Sequence, residues 1–341
     1  RQGTEDPYAE EVLQQVHRLS SKGRQEARIR KAPLGAFFFY GSAVYSYLGR
    51  QSTMETNAMY QAHVKELERL GALYVTYDPA LRKIVAEAMK NWDAFCELPD
   101  EQKVLFSYTP DHKVSGNGYE LKREGGIDFK ENCHLRMDAR DELLRGSALA
   151  HPTLGPAFVE SALAVNERMT EVARDFSRLV EQEYGLEGFE DDVMRMQSRW
   201  LFRFLHYFPV QTEGQEIAAP HVDKGGFTLH LYESDPGVEY YDYKTRAWEE
   251  LPLAHDQTVM FPGMVLQHQS RCRLRALAHR VMATKNTAVT GRTSAVCFFE
   301  FDNARFYDKD GRGTTQSLIK EYGPDYFYDM PFPQFNEFFI D

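Results

Sequence analysis

Three short runs in this chain hold residue types that can do chemistry together: His221-Val222-Asp223, His279-Arg280-Val281 and Arg292-Thr293-Ser294. Two imidazoles and one carboxylate are the set that holds Fe(II) on one face and leaves the opposite positions open for substrate and O2. Along a strand, side chains two apart point the same way, so His221 and Asp223 reach one ion from one strand while Val222 turns into the wall. Arg292 and Ser294 obey the same rule. A guanidinium offers a planar fork to a carboxylate and the hydroxyl adds a donor, which suits a dicarboxylate. His-x-Asp by itself also reads as a surface turn after Pro220 with a solvated acid, because 11 His and 51 acidic residues make chance triplets common. Order and a β-type setting favour the site.

The elements that must position these residues change character along the chain. Apolar residues at helical spacing predict helices from Met59 to Leu70, from Pro79 to Phe95 and from about Pro156 to Tyr184, with Gly71 and Gly185 as stops. A short strand, Ala72 to Tyr77, lies between the first two. From Arg199 onward the texture is short β-rich runs: Trp200 to Phe208, Phe227 to Tyr232, Val238 to Tyr243, Thr258 to Phe261, Leu277 to Thr284 and Thr293 to Phe301. Many short strands at near-regular spacing predict an antiparallel sandwich or barrel. The fold class expected is α+β, a distorted double-stranded β-helix (jelly roll) with a helical N-terminal half packed on it. One structural unit is expected, with a mainly helical region at 5–198, the metal-bearing core at 199–305 and an aromatic segment at 306–341 packing on the core.

With 341 residues and 43% hydrophobic and 27% charged content, the chain has ample material for a core. A net charge of -11 argues against nucleic acid as a partner, since phosphate binding needs concentrated Lys and Arg. Cys96, Cys133, Cys272 and Cys297 form no C-x-x-C pair, so they suggest thiols in a reducing compartment. No apolar run is long enough to span a bilayer and no basic-then-apolar leader pattern is present. A cytoplasmic protein is the expectation.

With these residues in place, the sequence resembles the Fe(II)/2-oxoglutarate-dependent dioxygenases, in the branch that includes isopenicillin N synthase. The likeness runs from about Tyr60 to Phe301. "LGALYV" followed by a helix ending "FCELPDEQK" is similar to the family's "GFFxV…FxLPxExK" segment, and "PHVDKGGFTLHLYESDPGVEYYD" to its metal strand and the sheet beyond. Gly263 through Leu266-Gln267 and Ser270 to His279-Arg280-Val281 runs without a gap against the pattern around the distal histidine. The resemblance implies that His221, Asp223 and His279 bind Fe(II), that Arg292 and Ser294 hold the far carboxylate of 2-oxoglutarate, and that O2 is the oxidant. It implies oxidation of a small organic molecule, most often hydroxylation, with release of succinate and CO2. The segment between His279 and Arg292 is longer than the family's usual spacing.

Several nearby residues admit two readings. In His206-Tyr207-Phe208-Pro209, Tyr207 matches the family's tyrosine by type and Phe208 by position; Tyr207 is a candidate cosubstrate contact and His206 a candidate in its place or toward substrate. His230 and His268 read as packed wall residues rather than ligands. Arg271, Arg273 and Arg275 share a face on a regular strand and suit a solvated edge; the sharper alternative is that Arg275 meets an anionic substrate. Lys122 and Arg123 suit a loop over the barrel mouth. The substrate expected is a small, amino-acid-like or otherwise anionic molecule. Two other functions fit the same residues: an iron oxidase of this fold that does without 2-oxoglutarate, and a non-catalytic binder of a metal or dicarboxylate.

Overall fold

In a computed structural model of the chain, the described residues are 37–38, 63–76, 78–107, 117–122, 129–210, 212–251, 253–254, 257–299, 320 and 323, all within one compact unit, Gly35–Asp341. Their strands are β1 (Phe37–Phe38), β2 (Leu73–Thr76), β3 (Gly118–Lys122), β4 (Lys130–Leu135), β5 (Leu201–Tyr207), β6 (Glu216–His221), β7 (Phe227–Glu233), β8 (Val238–Asp242), β9 (Ala247–Glu250), β10 (Gln257–Pro262), β11 (His279–Met282) and β12 (Arg292–Phe299). They form an eight-stranded sheet in the order β1-β2-β10-β7-β12-β5-β4-β3 and a four-stranded sheet in the order β6-β11-β8-β9. Apart from the parallel β1–β2 pair, the ladders are antiparallel. Two facing sheets with such crossovers are a jelly roll, and with its helices the fold is α+β as expected.

The long helices are α1 (Pro79–Cys96) and α2 (Leu154–Tyr184), which pack on each other. Asp78 caps α1 by accepting from the Ala80 N–H at 2.9 Å, with Pro79 in the first turn, where its missing N–H costs nothing. Gly185 ends α2 in the left-handed region at φ 66°, as the sequence predicts. Both helices cover one face of the eight-stranded sheet: Trp92 Nε1 donates to the Leu205 carbonyl at 3.2 Å, and Phe158 meets Phe204 edge-on at 5.1 Å.

Strand alternation then divides β5 between two environments. Phe202, Phe204 and His206 face the helices, whereas Leu201, Arg203, Leu205 and Tyr207 line a cavity between the sheets.

The helix-side face of that sheet buries a charge network for which the residue pattern carries no signal. Glu131, fully buried on β4, accepts from Lys103 Nζ at 2.6 Å and Tyr119 OH at 2.6 Å and pairs with His206 Nδ1 at 2.7 Å. Burial alone would raise the carboxyl, but the hydrogen bonds from His206, Lys103 and Tyr119 outweigh it and bring it from 4.5 down to about 2. A depressed pKa stabilises the fold fully above 4.5, and that contribution is lost as pH falls toward about 2. Glu131→Gln is therefore expected to cost about 3 kcal/mol at neutral pH, the low end for breaking a buried pair, and to flatten the acid limb of a melting-temperature-against-pH curve. An unchanged acid limb would contradict this.

Several elements differ from the sequence reading. The strand expected from Leu277 opens only at His279. The segment before Arg292 is not a plain hairpin but holds a short helix at Lys285–Thr290, capped by Thr284 and by Asp235, whose carboxylate accepts from Thr287 Oγ1 at 2.6 Å. Strands β1, β3, β4 and β9 have no counterpart in the sequence reading, because their sequences lack clean apolar alternation over a strand's length. The aromatic segment expected to pack on the core lies outside the described residues except at 320 and 323.

Candidate active site

His221 closes β6 and His279 opens β11, and the two are Cα partners across that ladder, with ring centroids 4.2 Å apart. The strand stops at His221, so Asp223 sits in the following turn and not on the strand itself. It still returns to the same side. Val222 is buried, the Asp223 carbonyl accepts from Met264 N at 2.8 Å, and Thr228 Oγ1 donates to Asp223 Oδ2 at 2.5 Å. Gly263 must be small for this turn to close, since a Cβ there would lie 2.2 Å from the Gly225 carbonyl oxygen.

Each imidazole is oriented by its own chain. His221 Nδ1 lies 2.7 Å from the Ala219 carbonyl and His279 Nδ1 lies 3.0 Å from the Leu277 carbonyl. A carbonyl can only accept, so both Nδ1 atoms carry the proton and both Nε2 lone pairs are left for a ligand. His221 Nε2 stands 3.8 Å from Asp223 Oδ1, less than twice a metal–ligand distance of about 2.1 Å. Donor atoms of all three residues lie within 4.8 Å of one another. Burial and then the neighbouring His279 lower the His221 pKa, which favours the neutral imidazole a metal needs. Thr228→Val is expected to weaken metal binding about 10- to 100-fold, the usual cost of losing an outer hydrogen bond, without unfolding the protein. Calorimetric titration with Mn(II) checks this.

Arg292 and Ser294 are both 2% exposed and open β12, in register with Tyr207 and Leu205. Two of the guanidinium's donors are committed: Nε to the Asp235 carbonyl at 2.8 Å and one terminal nitrogen to Glu233 Oε2 at 2.5 Å. Glu233 also lies 3.1 Å from His230 Nε2. Burial would raise the Glu233 carboxyl, but His230 and Arg292 together hold it below the ordinary value. These contacts fix the plane of Arg292 from behind, while Arg292, Ser294 and Tyr207 line the same cavity of about 500 Å³ as the triad.

The remaining sequence candidates divide. Tyr207, not Phe208, faces the cavity, with Lys130 Nζ 5.2 Å from its ring centroid. His206 points the other way, to Glu131, so a substrate contact by His206 is corrected: alternation on β5 sends it to the helices. Arg275 is likewise not among the cavity-lining residues; its carbonyl faces Gly71, which seats that stretch against the helical residues 63–70. His230 lines the wall outside the triad. Lys122 lines the cavity, Arg123 lies outside the described residues, and so does the side chain of His268. Sequence reasoning missed Lys130, Arg203 and Thr228. Only Arg203 carried a signal, as the residue four before Tyr207 on the same face.

Comparison with known proteins agrees with this geometry. Residues 199–301 match the model of the 2OG-Fe(II) oxygenase superfamily. Among curated relatives, the 2-oxoglutarate-dependent dioxygenase citB of Monascus ruber is 31% identical over 103 residues, 29% of this chain and 30% of the relative. Clavatol oxidase claD of Penicillium crustosum is 30% identical over 123 residues, 34% of this chain and 35% of the relative. The alignments thus span about a third of those relatives' length. Among solved structures, a full-length Neurospora crassa protein in complex with alpha-KG and 5-formyluracil superposes with a TM-score of 0.61 at 16% identity, over 80% of this chain and 88% of that one. The rice dioxygenase for auxin oxidation gives 0.58 at 21% identity, over 80% and 93%. At these identities the likeness is one of fold.

Proposed function

We propose that this protein is an Fe(II)- and 2-oxoglutarate-dependent oxygenase that oxidises a small organic molecule bearing an anionic group. One observation carries the reading: two Nε2 lone pairs and one carboxylate converge on a point in a cavity whose wall also presents the buried Arg292 and Ser294. His221, Asp223 and His279 would hold the ferrous ion; Arg292, Ser294 and Tyr207 would hold the far carboxylate of the cosubstrate. When bound, these groups supply O2 activation, with 2-oxoglutarate ending as succinate and CO2 while a substrate C–H bond is oxidised. The chain's own part is to fix both imidazole tautomers and to clamp one carboxylate in place. Hydroxylation is the outcome proposed; desaturation or ring closure would show in product mass. We propose a cytosolic setting from Cys96, Cys133, Cys272 and Cys297, none of which is in a disulfide. Among the described residues no helix is long and apolar enough to cross a membrane.

Incubation with Fe(II), ascorbate, 2-oxoglutarate and a panel of small aromatic and aliphatic acids is expected to yield succinate in step with an oxidised acid. Oxygen uptake and product without succinate would instead favour the oxidase that does not use 2-oxoglutarate.

A further inference from the structure

The cavity wall carries more positive charge than the oxygenase chemistry uses. Besides Arg292, it is lined by Lys122, Lys130, Arg136, Arg203 and Lys224, and Asp223 is the one acid in that lining. A ferrous ion facing Asp223 and a 2-oxoglutarate dianion facing Arg292 compensate each other. Lys122 is partnered by Glu120 at 3.7 Å, while Arg203 and Arg136 line a space large enough for a second molecule, and a wall rich in one sign favours the opposite sign.

Arg203 is the best prepared of the five. It projects from β5 on the cavity face; its Nε donates to His134 Nε2 at 3.0 Å and its guanidinium stacks 4.9 Å from the Phe298 ring centroid. These two contacts set the plane of the fork before any ligand arrives. Burial lowers the Arg203 pKa, Asp223, Tyr207 and Glu120 oppose that, and Arg136 lowers it further, so Arg203 lies within electrostatic reach of the proposed metal ligand, of Glu120 and of a second guanidinium. A planar fork held in place beside an apolar wall that includes Leu201 and Phe298 suits the two oxygens of an oxyanion. The place is separate from the cosubstrate's. Arg203 pairs with Val296 and Tyr207 with Arg292, so the two arginines are anchored four residues apart, roughly 13 Å along the sheet at about 3.3 Å per residue. That exceeds the span of a five-carbon diacid.

We propose that the substrate presents a carboxylate or phosphate to Arg203, with Arg136 beside it, on the Asp223 side of the metal position. The inference rests on the oxygenase reading and names where the substrate's anion sits; Arg203 is thus a specificity-determining residue.

The test is calorimetric titration of protein loaded with Mn(II) and saturating 2-oxoglutarate, using benzoate, benzamide and inorganic phosphate as probes. Benzoate or phosphate is expected to bind and benzamide not, the stronger of the two showing which oxyanion is preferred. Arg203→Met should weaken the anion at least about 10-fold and Arg136→Gln by less, with Arg203→Lys restoring part of the loss. Affinity of Arg203→Met for 2-oxoglutarate should stay that of the wild type, which also reports an intact fold. Equal binding of benzamide, no anion binding to the loaded wild type, unchanged anion binding in Arg203→Met, or loss of 2-oxoglutarate binding in that variant would each overturn the assignment. Failure of the wild type to take up 2-oxoglutarate at all would overturn the oxygenase reading, and this inference with it.

Discussion

Replacing His279 with alanine is expected to lower Mn(II) or Fe(II) affinity by well over about 100-fold while the apo protein still folds. Losing an outer hydrogen-bond partner of a ligand costs about 10- to 100-fold, and losing one of three ligands costs more. The fold should tolerate the change because His279 is half-buried and its backbone stays in the ladder with His221 and Tyr240. The lost side-chain packing, against Phe261 at 4.9 Å and His221, is worth about 1 kcal/mol. Electron paramagnetic resonance of free Mn(II) measures the affinity, and thermal unfolding checks the fold. Wild-type affinity in His279→Ala would move the metal elsewhere. Among the described residues the other such group is Cys96, Glu131 and His206, but Lys103 and Tyr119 already occupy Glu131 there.

Arg292 gives the second large effect, and it separates binding from stability. Arg292→Lys keeps the charge and loses the fork, so 2-oxoglutarate is expected to bind more weakly by about 1–3 kcal/mol. Arg292→Leu goes further: Glu233 loses its guanidinium partner inside the protein and keeps only His230. Removing one partner of a buried pair costs about 3–5 kcal/mol, and the remaining histidine places this case near the lower figure. Adding Glu233→Gln to Arg292→Leu should recover much of that stability without recovering cosubstrate binding, because the buried unpaired charge is gone but the fork is still missing. Urea unfolding and calorimetry give the two quantities independently. Equal 2-oxoglutarate affinity in Arg292→Lys would place the carboxylate at another residue.

The triad and the arginine–serine pair were legible because they depend on order and on two-residue alternation, both of which survive without knowing the sheet. Asp223 shows how far that carries. It leaves the strand after His221, yet Thr228 and Met264 return its carboxylate to the place alternation anticipated. The choice between His206 and Tyr207 was not legible, since it turns on which face of β5 meets the helices. That is set by Trp92, Phe158 and Glu131, all remote in sequence: Trp92 bonds Leu205 at a separation of 113 and Glu131 bonds His206 at 75. Lys130 stayed hidden for a related reason. β4 reads Lys-Glu-Asn-Cys-His-Leu, with no apolar alternation to mark a strand, because one of its faces buries the Glu131 network. The short helix before Arg292 carries too few residues for a periodic signal, and its cap partner Asp235 is 52 residues away from Thr287.

The most direct test of the central claim is anaerobic absorption spectroscopy of the protein with stoichiometric Fe(II) and 2-oxoglutarate. The account predicts the weak visible charge-transfer band of the iron–keto acid chelate, formed with 2-oxoglutarate and not with succinate. Saturating iron and cosubstrate with no such band would contradict it.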